Sequence, residues 1–278
     1  MSQLIGKKVL VLDCGHVALQ SYAGSDAEIA SAARTSYQGG TRSVNDDRGL
    51  IRFLIRHRHT TPLEFAWLRF HIKLPLFCER QMIRHRMFST NELSARYSVL
   101  PEETYLPGVD RVVGQLKTNR QGSGLPVDSV LAGCVQDSLS ESYRESFEAY
   151  HHAIDHDVAR EIARLPLPVA TYTEKCWAGN LHALLHFLEL RLAPDAQHEI
   201  RQYAQVIAGI VEQLFPLTWE AFVDYRLEAI TFSRQELHYL SFILDGDEDR
   251  TDLADFSDRE RTELLNKLTK IRAMKDQA

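Results

Sequence analysis

Residues 84–97 read RHRMFSTNELSARY, which places Arg84, Arg86 and Arg96 in one short stretch. A guanidinium fork matches two phosphate oxygens, and short hydroxyl and amide side chains complete such a cradle. Ser89, Thr90, Asn91, Glu92 and Ser94 follow the first two arginines at once. The competing reading is a solvated basic face, the usual fate of a charge run. The neighbouring Met82, Ile83, Met87 and Phe88 argue against full exposure. From residue types alone, both readings stay open.

Other candidates are weaker. His182 and His186 stand four apart on a helical stretch, a spacing that binds zinc, with Glu189 or His198 as a third ligand. The residues between them are Ala-Leu-Leu, so the HExxH pattern is absent. His151, His152 and His156 read as surface histidines. Ser94 lacks a base at the spacing a hydroxyl nucleophile needs. Arg191, ending a helical run, reads as a cation satisfying the last carbonyls. His59 reads as a cap or a packed side chain. An RNA-binding module is conceivable from residues 80–96 with Phe88 and Tyr97. A net charge of −6 and the local confinement of the basic residues oppose it.

The elements that must position these residues come from an ordinary globular composition: 278 residues, 44% hydrophobic and 25% charged, enough to bury a core without disulfides. Cys14, Cys78, Cys134 and Cys176 form no CxxC pair, which suits a reducing cytoplasm. The N-terminal apolar stretch is too short for a signal peptide, and no run reaches membrane-spanning length. The expectation is a soluble cytoplasmic protein with no membrane partner.

Residues 8–12 and 16–20 read as a β-hairpin. Asp26 is the expected cap of a helix to about Ser36, and the polar residues 37–48 the loop after it. Leu50, Ile51, Leu54 and Ile55 space a helix over 47–58, closed by Pro62. Residues 65–74 alternate strictly, which predicts a half-buried antiparallel strand. Residues 76–88 read as a helix running into the arginine motif. Gly and Pro across 107–128 predict a surface loop. Helices are expected over 129–154, 157–164 (capped by Asp157), 179–191, 195–214 and 217–229. From residue 245 the tail is acidic, then Ser257 to Glu260 makes a capping box. Leu264, Leu265, Leu268, Ile271 and Met274 form an apolar stripe suited to packing on this chain or a neighbour.

The arginine segment resembles the signature of the flavin-dependent thymidylate synthases: R-H-R, seven residues, then Ser94, with Ala95-Arg96-Tyr97-Ser98 continuing the match. The similarity extends over roughly residues 25–225. Ser36 lies in AARTSY, and His59 to Glu64 resembles the family's H-x-T-P-F-E. Gln81 precedes the motif, Arg164 lies in ARLPLP before Tyr172, and Asn180 opens the helix ending in ELR191. Gln197 and Glu199 lie in AQHEIRQYA, and TNRQGSG at 118–124 is similar to a family loop.

The resemblance implies an α/β (α+β) fold with a central antiparallel sheet flanked by helices, assembled as a homotetramer with FAD at subunit interfaces. It implies transfer of a methylene group from methylenetetrahydrofolate to C5 of dUMP, completed by a hydride from FAD that NADPH has reduced. Classical thymidylate synthases use a cysteine in a Pro-Cys-His context, which none of the four cysteines has. Ser36, Thr61, Glu64, Arg84, His85, Arg86, Asn91, Glu92, Asn180, Leu181, His182 and His186 are implied to contact FAD. Gln81, Met82, Ile83, Arg84, Glu92, Leu93, Ser94, Ala95, Arg96, Arg164 and Arg191 are implied to contact dUMP. Arg191 is the implied activating residue, a fixed cation beside the pyrimidine. His59 takes a possible flavin or proton role, and no metal is implied. His186 stands where some members have Asn, and Asp195 where some have His. Residues 1–231 are the expected catalytic domain, and 232–278 a charged extension with a helix.

Overall fold

The computed structural model describes residues 4–36, 46–116, 122–245 and 256–275. The polar run 37–45, residues 117–121, which overlap the TNRQGSG stretch, and the acidic run 246–255 lie outside the described residues. The chain forms two compact units, Met1–Leu227 and Glu228–Ala278.

The first unit contains β1 (Lys8–Val11), β2 (Gly15–Ala23), α1 (Asp26–Arg34), α2 (Asp47–Arg56), β3 (Trp67–Pro75), α3 (Leu76–Met82), β4 (Ser89–Glu92), β5 (Val113–Gln115) and β6 (Ser123–Pro126). It continues with α4 (Ser129–Asp155), α5 (Arg160–Ala163), β7 (Tyr172–Asn180), α6 (Leu181–Arg191), α7 (His198–Leu214) and α8 (Pro216–Phe222). Five strands make an antiparallel sheet in the order β1-β2-β3-β7-β4. The alternation in β3 works as expected. Leu68, Phe70, Ile72 and Leu74 are buried and join α6 and α7 in one core. Each such side chain stabilises the fold by about 1.5–3 kcal/mol on burial. Trp67 and Arg69 on the other face are exposed, and His71 and Lys73 half-buried.

Several local expectations are corrected. Ser25, not Asp26, caps α1 by accepting from the Glu28 amide. The Asp26 carboxylate instead accepts from Leu217 N at 2.8 Å, Thr218 N at 3.1 Å and Thr218 Oγ1 at 2.6 Å, and so holds the N-terminus of α8. The helix expected over 76–88 stops at Met82, because residues 89–92 must extend to pair with β7. Asp157 is no helix cap: its φ is 56°, a left-handed conformation that a short polar side chain tolerates, and Ala159, which has no capping side chain, stands at the N-cap of α5. The 107–128 segment is not simply a loop; it holds a 3₁₀ turn, Val109–Arg111, and the β5–β6 hairpin. The helix expected over 217–229 ends at Phe222 and passes into a π turn, Val223–Leu227.

The second unit holds α9 (Arg234–Leu244) and α10 (Asp258–Lys275). Ser233 and Glu236 form a capping box on α9, and Lys267 pairs with Glu236 at 2.7 Å. Ser257 and Glu260 form the expected box on α10. Of the apolar stripe, Leu264 is buried, whereas Leu265, Ile271 and Met274 are exposed.

Candidate active site

The arginine motif sits on a turn between α3 and β4. Leu76 N and Phe77 N donate to Thr171 O and Val169 O, each at 3.0 Å, anchoring the start of α3 beside β7. Cys78, Glu79 and Met82 then face the core. The chain turns after Met82, with His85 N donating to Met82 O at 3.0 Å. Arg84 and Arg86 are exposed, and neither pairs with a carboxylate among the described residues. His85 turns inward, edge-on to Phe187 at 5.0 Å and 6.0 Å from His186.

Phe88 fixes the far side of the turn. Its ring stacks on Trp177 at 3.8 Å and 13°. A Cβ on Gly179 would lie 2.4 Å from that ring, so only glycine lets Phe88 seat there. Under the turn is a cavity of about 200 Å³ lined by His85, Arg86, Phe88, Thr90, Lys175 and Trp177, among others. Lys175 is buried and ion-paired with buried Glu79. Burial pushes the Glu79 carboxyl up and the Lys175 ammonium down, with their mutual attraction opposing both.

Arg191 ends α6 against this turn. Its Nε donates to His85 Nε2 at 3.1 Å, and its Nη atoms donate to Gln81 Oε1 and Gln81 O, each at 3.4 Å. Burial pulls Arg191 below its ordinary pKa. Burial first, and then the Arg191 charge, lower His85 to about 4. The imidazole is therefore neutral at neutral pH, as an acceptor from Arg191 must be.

Sequence-predicted residues fall into two neighbouring groups. Ser94 Oγ accepts from Arg96 N at 3.3 Å, and Leu93 N donates to Glu174 O at 2.8 Å. Arg96 pairs with Glu161 at 3.0 Å, and Arg160 donates to Tyr97 O at 3.2 Å, which sets α5 against the 94–97 turn. Arg164, exposed, lies one turn further along. Gln81 and Arg191 meet at the end of α6, whereas the 94–97 turn is tied to α5 and to Glu174 of β7. Asn91 and Glu92 stand on β4 opposite Cys176 and Lys175. Met82 and Ala95 are buried, while Ile83 is exposed.

The second group surrounds the start of α6. Asn180 caps that helix by accepting from Ala183 N at 2.8 Å. Leu181 is fully buried, and its N–H donates to Ala66 O at 2.8 Å, so the expected flavin contact there finds neither an exposed side chain nor a free amide. His182, His186 and Glu189 line a cavity of about 180 Å³ with Arg58, Thr60 and Arg226. Burial lowers the His182 pKa, against the opposing charge of nearby Glu64. Thr61 and Glu64 are on the 3₁₀ turn Thr61–Phe65, which packs on α1 and α6; Ser36 follows the end of α1. His59 packs edge-on to Phe53 at 5.5 Å. Among the described residues, no hydrogen bond joins this group to Arg84 or Arg86. Asp195 is exposed between α6 and α7. The zinc reading needs a third ligand; among the described residues no three His, Cys, Asp or Glu are placed to hold a metal.

Residue spacing did not point to the Glu79–Lys175 pair or to the side chains beyond Gln81. Gln81 Nε2 donates to Gln197 Oε1 at 2.5 Å, and Gln197 Nε2 donates to Glu199 Oε2 at 2.9 Å. The signal for Lys175 is its inward register position, visible only once β7 is known.

The family model described as thymidylate synthase complementing protein matches residues 18–217. A flavin-dependent thymidylate synthase from Ehrlichia ruminantium (strain Gardel) is 42% identical over 268 residues, 96% of this chain and 90% of the relative. One from Thermus thermophilus is 47% identical over 235 residues, 84% and 85% of the two chains. Among solved structures, a UMP/dUMP methylase, PolB, from Streptomyces cacaoi bound with 5-Br dUMP superposes with a TM-score of 0.71. It is 33% identical, over 79% of this chain and 99% of that one. The arginine turn, the closing arginine of α6 and strands β3, β4 and β7 lie within the matched span, and the chain belongs to the thymidylate synthase complementing protein family, whose curated relatives here are named flavin-dependent thymidylate synthases.

Proposed function

We propose that this chain is a methyltransferase that converts dUMP to dTMP, with methylenetetrahydrofolate as carbon donor, FAD as hydride carrier and NADPH as reductant. The observation that carries the reading is the arrangement of cations. Arg84 and Arg86 project from a turn without acid partners among the described residues, while Arg191 is held half-buried behind them by His85 and Gln81. Exposed unpaired guanidinium groups suit phosphate; a fixed, partly desolvated one suits charge developing on a ring.

The residues present fit a flavin dinucleotide. Arg84 and Arg86 would hold its phosphates, and the turn that carries them is locked by the Phe88–Trp177 stack over Gly179. His182 and His186, lining their own cavity, and exposed Thr61 and Glu64 would hold the rest. Bound and reduced FAD supplies the hydride that completes the methyl group. Gln81, Ser94, Arg96 and Arg164 bind the nucleotide, and Arg191 stabilises negative charge on the pyrimidine. His85 aims that guanidinium by accepting from Nε, and Gln81 takes one hydrogen from each Nη, which leaves one N–H on each Nη for the substrate.

Carbon transfer in this reading uses no cysteine nucleophile. Cys78 is fully buried, and burial raises both its thiol pKa and that of Cys14, which disfavours the thiolate. Assembly as a homotetramer, with sites at subunit interfaces, is supported by exposed apolar residues beside the motif: Ile83 at 50%, Met87 at 70% and Tyr97 at 76%.

Two variants test the assignment. Arg191→Ala is expected to retain FAD and lose dTMP formation, and Arg84→Ala to lose FAD on dialysis. Parent-like turnover in the first would remove Arg191 from the mechanism. Parent-like flavin retention in the second would remove Arg84 from the cofactor site.

A further inference from the structure

Two groups of opposite hydrogen-bonding character end one connected path. The Arg191 guanidinium can only donate, and the Glu199 carboxylate can only accept. Between them stand two amides, Gln81 and Gln197, each of which can be turned either way. The ends leave one arrangement. Arg191 Nη1 donates to Gln81 Oε1 at 3.4 Å, Gln81 Nε2 to Gln197 Oε1 at 2.5 Å, and Gln197 Nε2 to Glu199 Oε2 at 2.9 Å. Glu199 is fixed from its far side. Arg111 donates to Oε1 through Nε at 3.1 Å and Nη2 at 2.8 Å, and the Tyr105 hydroxyl donates to the same oxygen at 3.2 Å. Glu199 is only 4% exposed. Burial alone would raise its carboxyl, but hydrogen bonds led by Arg111 outweigh burial and hold it below the ordinary carboxylate value.

We propose that Gln197 and Glu199 are positioning residues for Arg191, forming with Gln81 a one-directional hydrogen-bond chain that ties the reactive guanidinium to Arg111 at the root of the β5–β6 hairpin. This rests on the reading of Arg191 given above. The chain matters because Arg191 has no carboxylate partner among the described residues; its aim comes from an imidazole and an amide, and that amide takes its polarity from a carboxylate two links away. Misplacing a substrate-facing group by an ångström costs on the order of 10²-fold in rate.

The test is Gln197→Met in the flavin-loaded full chain. Gln197 is exposed, and methionine keeps its length while removing both links. Flavin content and melting temperature are expected to match the parent, while dTMP turnover falls on the order of 10- to 100-fold. In dUMP titrations followed by the flavin spectrum, the Gln197→Met, Arg191→Ala double variant is expected to bind no more weakly than Arg191→Ala alone. Glu199→Gln, which keeps an acceptor but drops the charge, is expected to fall between parent and Gln197→Met in turnover. Parent-like turnover in folded Gln197→Met overturns the proposal, as do dUMP-binding losses that simply add in the double variant. An active Arg191→Ala would instead sink the reading of Arg191. An inactive Arg191→Ala beside a parent-like Gln197→Met would sink the positioning chain alone.

Discussion

His85 shows how one residue changes meaning once its partner is known. In the sequence it is the middle of a basic triplet. In the structure its Nε2 accepts from Arg191 Nε at 3.1 Å, across 106 residues of chain. Protonating His85 would set two donors and two cations against each other. Burial, and then Arg191, hold its pKa near 4, whereas a free imidazole titrates at about 6.5. Between those values the unfolded chain binds a proton that the folded chain refuses. The stability His85 contributes is therefore complete above about pH 6.5 and is lost as pH falls toward about 4. NMR of histidine-labelled protein, assigned with His85→Gln, should show the His85 ring signal flat from about pH 8 to about pH 5.5. A midpoint near 6.5 would remove the hydrogen bond as drawn. Residue types along 84–97 made a cluster of guanidinium and hydroxyl groups legible, because that chemistry is local. The partners of Arg191 were not legible, because the fold alone brings α3, α6 and α7 together.

Among the elements, β3 and β7 are neighbours in the sheet yet differ in how readily their sequences reveal them. In β3 the inward set is Leu68, Phe70, Ile72 and Leu74, and alternation shows it at once. In β7 the inward set is Thr173, Lys175, Trp177 and Gly179, which carries no apolar period. Lys175 is tolerated there only because Glu79 from α3 meets it, and Gly179 is there to admit Phe88. The same pairing explains why α3 stops short: β4 is wholly polar, Ser89–Glu92, and takes its strand conformation from β7 rather than from its own residues. Breaking the buried pair should be costly and replacing it whole should not. Lys175→Met should destabilise by about 3–5 kcal/mol by leaving an unpaired buried carboxylate. Glu79→Leu with Lys175→Met should recover most of that loss. Denaturant midpoints for the three proteins decide it. A double variant as unstable as the single one would show that the pair, and not its desolvation, holds α3 against β7.

At the scale of the molecule, the first unit places the two groups of candidate site residues at opposite ends of one helix. Asn180 and His182 open α6 beside the Thr61–Phe65 turn, and Arg191 closes it behind the arginine turn. His186, midway, comes within 6.0 Å of His85 and lines the cavity shared with His182. An α6 spine of that kind suits an extended cofactor next to a smaller nucleotide, with buried Leu184, Leu188 and Phe187 keeping the spine in place. The most direct test is an anaerobic reaction of the flavin-loaded full chain with dUMP, methylenetetrahydrofolate and NADPH. The account predicts that NADPH bleaches the flavin and that dTMP forms only when all three are present. Absence of dTMP under those conditions, or equal dTMP from chain stripped of flavin, would contradict it.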